Sequence, residues 1–231
     1  MNNEILLFIN LIVVFGGVLL AYYLFGKSGL YGFTVFATIT ANIEVLILID
    51  AFKMQQTLGN IMFASTFLIT DILSEMYGKE SSKKAVNIGI ATSILFIVVS
   101  QIWLLYTPNE NDWAMPYMKT IFSNTPRLMF ASFIVYAISQ RFDVWAYHKW
   151  WAFTEKKFHD RKRFLWLRNN GSTLISQFIN TFLFAVFAFY GVYEIPVLLE
   201  IVWSSYIIFI ATSLLDTPVI YAARLIKPRC E

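Results

Sequence analysis

Charge is what this sequence has least of. Only 14% of its 231 residues are Asp, Glu, Lys or Arg, against about 25% in soluble domains. That is too few to cover a water-facing surface. Cysteine is nearly absent: the single Cys230 excludes an internal disulfide and a cysteine-rich metal site. The two histidines, His148 and His159, lie in a charged segment with no ligand spacing such as HExxH. No GxxxxGK(S/T) run occurs, which excludes ATP hydrolysis by that route. Neither Lys nor Arg falls between Met1 and Glu4, which argues against a signal peptide.

What the sequence does contain is apolar. Hydrophobic residues make up 58%, aromatic residues 18%, and the mean hydropathy is +0.59. Several runs approach the ~20 residues that span a bilayer, and the alternating ~10-residue segments of a membrane barrel are missing. The expected fold is an all-α polytopic membrane protein of about seven transmembrane helices in a single domain, 1–231. The expected spans are 5–25, 30–51, 60–77, 85–106, 127–147, 173–190 and 197–225. Between the fourth and fifth lies a polar loop, 107–126, with a partly amphipathic piece around 113–122 suited to the membrane interface.

Cytoplasmic loops collect Lys and Arg. With the N-terminus outside and the C-terminus inside, fourteen of the 18 Lys and Arg fall on inner segments. Lys53, Lys119 and Arg127 fall outside, and Arg141 falls within the fifth span. The largest basic stretch, 148–171, invites a nucleic-acid reading, but orientation in a membrane accounts for it and no nucleic-acid partner is expected. Small residues recur every four positions at Gly17 and Ala21, and at Ala85, Gly89 and Ser93; their expected role is close helix packing.

The stretch from Thr70 to Gly78 sets two carboxylates, Asp71 and Glu75, on one face of the third span. A charge at bilayer depth costs about 2.5–3.5 kcal/mol and marks a candidate functional site. Counting along the spans at ~1.5 Å per residue, Asp71, Gln177, Asn180, Asp216 and Arg141 are expected in one layer. Asn42 and Glu44 lie further out and Glu75 near the inner mouth. Phe67 and Phe184 share faces with the acids and amides, a mixture that suits a planar polar ligand. These give the candidate substrate residues Asp71, Asn180, Gln177, Asp216, Asn42, Glu44, Phe67 and Phe184. Candidate coupling or gating residues are Glu75, Arg141 and Pro218; Pro218 removes a helix hydrogen bond two residues after Asp216. Arg141 has alternative readings, a pair with Asp143 or an inward snorkel, and Glu75 has one too, solvation at its helix end. No metal or other cofactor is expected.

Asp71, Glu75, Tyr77 and Gly78, followed by Lys79, Lys83 and Lys84, form a D-x-x-x-E-x-Y-G pattern with a basic patch. Further matches run in order: Ala41-Asn42-Ile43, the segment RLMFASFIVYAISQRFD at 127–143, Ser172-Thr173-Leu174 with Gln177 to Thr181, and Thr217-Pro218 with Tyr221. Over about residues 40–226 the chain resembles the queuosine precursor transporters, the VUT (vitamin uptake transporter) family. Many members carry Asp where this chain has Asn180, and Asp216 is outside the shared pattern; it is a candidate to restore the missing charge. Common members have six spans. Residues 1–28 are therefore read as an additional N-terminal helix and 29–226 as the family-like core.

The resemblance implies an integral transporter of the cytoplasmic membrane, not an enzyme, that imports 7-deazaguanine bases such as preQ0, preQ1 or queuine. A carboxylate such as Asp71 or Asp216 would then meet the N–H edge of the base. An amide such as Gln177, Asn180 or Asn42 would meet its carbonyl, and Phe67 or Phe184 would stack. The alternative is a substrate-binding subunit, like the S-component of an energy-coupling-factor vitamin transporter, which needs an ATPase module as partner. A membrane-embedded enzyme is disfavoured because no span holds a histidine or a full metal-ligand set. The remaining partners are the lipid bilayer, the nucleobase and, left open, a second copy of the chain.

Overall fold

The computed structural model describes residues 2–123, 126–159 and 164–230. Met1, Asn124 and Thr125, and Arg161, Lys162 and Arg163 of the basic segment lie outside these. Among the described residues there are seven helices and one β-hairpin. The first helix, α1 (Asn3–Glu44), is broken at Gly26, whose φ of 56° belongs to the left-handed region. The chain doubles back there. A Cβ added at Gly29 would lie 2.1 Å from the Ala21 carbonyl oxygen, and one at Gly17 would lie 3.1 Å from the Phe33 ring. The two arms of α1 therefore correspond to the first two expected spans, and Gly17 and Ala21 do pack helices closely.

The second arm stops at Glu44, short of the expected boundary at 51. Strands β1 (Leu48–Ala51) and β2 (Met54–Thr57) follow, antiparallel, with Leu48 opposite Thr57 and Asp50 opposite Gln55. Their two-residue turn, Phe52-Lys53, has φ of 54° and 60°, the type I′ geometry that matches strand twist. A short apolar run such as Leu46–Ile49 reads alike as helix or strand, which is why the boundary was misplaced. The hairpin tip is tied to the start of α1: Asn3 donates to the Asp50 carbonyl at 2.8 Å, and the Phe52 N–H donates to Glu4 at 3.0 Å.

Next comes α2 (Gly59–Tyr77), buried along almost its whole length and packed against α1, α3, α5 and α7. A helix buried all round is the axis of a bundle. It ends at Gly78, φ 81°, where the chain reverses into α3 (Lys79–Trp103). The short α4 (Met115–Ser123) lies in the polar loop, close to the expected amphipathic piece, and Phe122 packs edge-on against Phe96 and Trp103 of α3. Then come α5 (Pro126–Phe158), α6 (Leu165–Phe189) and α7 (Ile195–Leu225). Gly89 admits Tyr136: a Cβ there would lie 2.0 Å from its hydroxyl. Ala85 and Ser93, on the same face of α3, are buried with it.

The basic stretch 148–171 is mostly helix rather than loop. Helix α5 runs on to Phe158 because Trp150, Trp151 and Thr154 continue its packing, and α6 starts at Leu165. Helices α1, α3, α6 and α7 are long and apolar enough to cross a membrane. Large apolar side chains such as Ile12, Leu95 and Trp203 stand exposed on the outside of the bundle, as a lipid-facing surface requires. The bundle has two ends. The hairpin end holds Asn3, β1–β2, the start of α2 and α4. The turn end holds Gly26, Gly78, the start of α6 and the C-terminal residues, where the Arg229 N–H donates to the Tyr23 carbonyl at 2.9 Å.

Candidate functional site

Three polar levels follow α2 from one end to the other. Nearest the hairpin is a pocket of about 1030 Å³, its open mouth included. Five aromatic rings, Phe63, Phe184, Phe189, Tyr193 and Phe209, share its wall with the amides Gln55, Gln56, Asn60 and Asn180. Phe63 is the hub of this wall: its ring lies 5.4 Å from Phe67, 6.0 Å from Tyr136 and 6.1 Å from Phe209. Among the described residues, no Asp, Glu, Lys, Arg or His lines the pocket. Strand β2 covers it, fastened to α7 by Ser204, which donates to the Gln55 carbonyl.

About 12 Å further along α2, eight residues on from Phe63 at ~1.5 Å each, lies a layer of three buried carboxylates: Asp71 on α2, Asp143 on α5 and Asp216 on α7. One face of α6 serves all three. Thr173 donates to Asp71 (3.3 Å), Ser176 to Asp143 (2.7 Å) and Asn169 to Asp216 (2.8 Å). Residues 169, 173 and 176 are spaced to share that face. Asp71 Oδ1, Asp143 Oδ2 and Asn169 Oδ1 have no hydrogen-bond partner among the described residues. Between pocket and acids, Gln140 of α5 donates to Thr66 (2.6 Å) and accepts from Thr70 (3.3 Å).

One turn beyond Asp71, Glu75 is gripped from three helices. Arg168 of α6 donates to both its oxygens at 2.7–3.1 Å, Tyr147 of α5 donates at 2.9 Å, and Arg224 of α7 donates through Nε at 3.0 Å and through Nη2. The Arg168 guanidinium also lies 4.2 Å from the centre of the Trp151 ring. Forked, charge-assisted contacts of this kind fix geometry as well as energy. They tie α2, α5, α6 and α7 together at the turn end of the bundle.

The expected site residues are therefore divided among levels. Asn180 and Phe184 line the pocket. Phe67 is fully buried behind Phe63 and does not line it. Asn42, buried and donating to the Thr38 carbonyl, and Glu44 flank the lining residues Ala41 and Val45 without lining the pocket themselves. Gln177 is buried on α6 between acids and pocket. Asp71 and Asp216 share the acid layer, but Asp216 meets Asn169, eleven residues before Asn180 on α6, so it does not replace a charge at Asn180. Glu75 is not solvated at its helix end; it sits in the two-arginine clamp. Arg141 is exposed, while Asp143 faces inward to Ser176, so the two do not pair. Pro218 lies within α7, which continues through it.

Sequence reasoning missed Asp143, Tyr147, Arg168 and Gln56. Gln140, Asp143 and Tyr147 recur at helical spacing on one face of α5, a stripe that was legible. Arg168 had been counted among the cytoplasmic charges and is fully buried. Gln56 lies in the hairpin, between the second and third expected spans.

The sequence profile of the family described as "Putative vitamin uptake transporter" matches residues 57–223. A protein of Bacillus subtilis (strain 168) described as "Probable queuosine precursor transporter" is 38% identical over 230 residues, covering 100% of this chain and 98% of its own length. The first arm of α1 falls inside that match, so this relative shares it. No solved structure matches the chain.

Proposed function

The chain belongs to the "Putative vitamin uptake transporter" family, and we propose that it imports queuosine precursors, 7-deazaguanine bases such as preQ0, preQ1 or queuine, across the cytoplasmic membrane. Its Bacillus relative, similar from end to end, is described as "Probable queuosine precursor transporter". The observation in the fold that carries the reading is the pocket at the hairpin end. Aromatic faces and side-chain amides are what a flat base with a polar edge requires.

The orientation follows from charge. Lys27, Lys79, Lys83, Lys84, Lys149, Lys156, Lys157, Arg224, Lys227 and Arg229 belong to the turn end, against Lys53, Lys119 and Arg127 at the hairpin end. The positive-inside rule puts the turn end in the cytoplasm. The chain then crosses seven times: two arms of α1, then α2, α3, α5, α6 and α7. In this arrangement the pocket receives the base from outside, and the Glu75–Arg168–Arg224 clamp closes the cytoplasmic mouth. Inward release breaks the clamp and exposes the acid layer, past which the base leaves.

The test is rescue of a bacterium that neither makes queuosine precursors nor has an importer of its own. This chain is expressed alone, preQ0, preQ1 or queuine is supplied at nanomolar level, and queuosine in tRNA is scored on a boronate gel. Rescue is expected; none, with the protein present in the membrane, contradicts the proposal.

A further inference from the structure

Gln56 is 3% exposed and lines the pocket, yet neither its Oε1 nor its Nε2 has a hydrogen-bond partner among the described residues. Asn60, four residues further on at the start of α2, is in the same condition at one atom. Its Oδ1 accepts from Thr57 at 3.1 Å, which leaves Nδ2 buried and unpartnered. Buried polar atoms are nearly always paired, so three orphaned atoms on two residues that line one pocket describe the ligand that would pair them once the hairpin closes on it. Together they offer one acceptor and two donors.

We propose that Gln56 and Asn60 form a clamp for a cis-lactam edge, the N1–H and C6=O of a 6-oxo nucleobase. This rests on the reading of the pocket as the substrate site. Gln56 Oε1 accepts from N1–H while its Nε2 donates to O6, the bidentate fit of an amide to a base edge. Asn60 Nδ2 donates to the second lone pair of the same oxygen, since a carbonyl accepts twice. Reversing the Gln56 amide would let it meet a 6-amino edge, whose ring nitrogen has a single lone pair. Asn60 would then be left unpaired, and this asymmetry selects the lactam. The ring faces are met by Phe63 and its neighbours, so the edge is read by the hairpin and the start of α2, and the faces by the bundle. Closure of the hairpin over the base brings Gln56 into register.

The experiment is competition binding on the purified full-length protein, with 7-deazaguanine against its 2,6-diamino counterpart, which differs only at the lactam edge. The 6-oxo base is expected to bind at least a hundredfold more tightly, because a site built for hydrogen bonds rejects an analogue that cannot make them. Gln56→Met is expected to weaken both bases about ten- to a hundredfold, because the reversed amide serves the diamino edge as well, whereas Asn60→Leu weakens only the 6-oxo base, so the discrimination collapses. Equal binding of the two bases to the unaltered protein overturns the clamp and leaves the transport proposal standing. Tight binding of a 6-oxo base other than a 7-deazaguanine, with none of 7-deazaguanine itself, supports the clamp and overturns the transport proposal. Failure to bind any 6-oxo base overturns both. The comparison of bases needs no substitution, so it decides the matter even where Gln56→Met fails to fold.

Discussion

Replacing Arg168 with Ala tests the clamp at the turn end. The arginine is fully buried and donates three hydrogen bonds to Glu75. Removing one partner of a buried ion pair costs about 3–5 kcal/mol. Arg224 stays in contact with Glu75 from a partly exposed position, so the lower figure, about 3 kcal/mol, is expected here. If the clamp closes the cytoplasmic mouth, that energy is lost from the closed state alone, and the ratio of open to closed rises by about a hundredfold. The assay exploits the near absence of cysteine. With Cys230→Ser as background, a cysteine at Ser74, buried one residue before Glu75, is labelled by an impermeant thiol reagent in inside-out vesicles. Labelling is expected to accelerate at least tenfold on Arg168→Ala, and less on Arg168→Lys, which keeps the charge and loses the fork. Unchanged labelling in a protein that still carries the substitution would refute the gating argument.

Three further outcomes are expected. Because the pocket lining is uncharged, neutral preQ0 should be taken up with a half-saturating concentration at least tenfold below that of cationic preQ1, since an unpaired buried charge is costly; concentration-dependent uptake of the two bases checks this, and preference for preQ1 would place a carboxylate in contact with substrate. Asp143→Asn should cut uptake more than tenfold without lowering the melting temperature in detergent, because it takes one acid out of the layer the base passes while Ser176 remains to hydrogen-bond the amide; a lower melting temperature with intact uptake would make the residue structural. Gly29→Ala should destabilise the protein by about 2–3 kcal/mol in denaturant unfolding, because its Cβ would collide with the Ala21 carbonyl oxygen, a backbone atom; undiminished stability would show that the arms of α1 separate easily.

The sequence carried the gross architecture because hydropathy decides it: runs of about 20 apolar residues have few other uses. It missed where the second arm of α1 yields to the hairpin, since Leu46–Ile49 carries no periodicity to separate strand from helix. Depth along a span was legible for Asp71 and Asp216, which do share a layer. Facing was not. Arg141 and Asp143 are two residues apart and point to opposite environments, and only the partners on α6 reveal which one is inside. Arg168 was misjudged because the positive-inside rule counts charges without asking whether they are already paired. Gln56 carried no signal at all: its importance lies in atoms left without partners, which no sequence displays.

The central claim is that this chain alone moves a 7-deazaguanine base across a membrane through the pocket under the hairpin. Its most direct test is the flux of radiolabelled preQ0 into sealed proteoliposomes containing the purified protein and no other. The account predicts saturable uptake above that of empty vesicles, reduced at least tenfold by Phe63→Ala, since base–aromatic stacking is worth about 1–3 kcal/mol. Absence of flux with folded, reconstituted protein, or flux indifferent to Phe63, would contradict it.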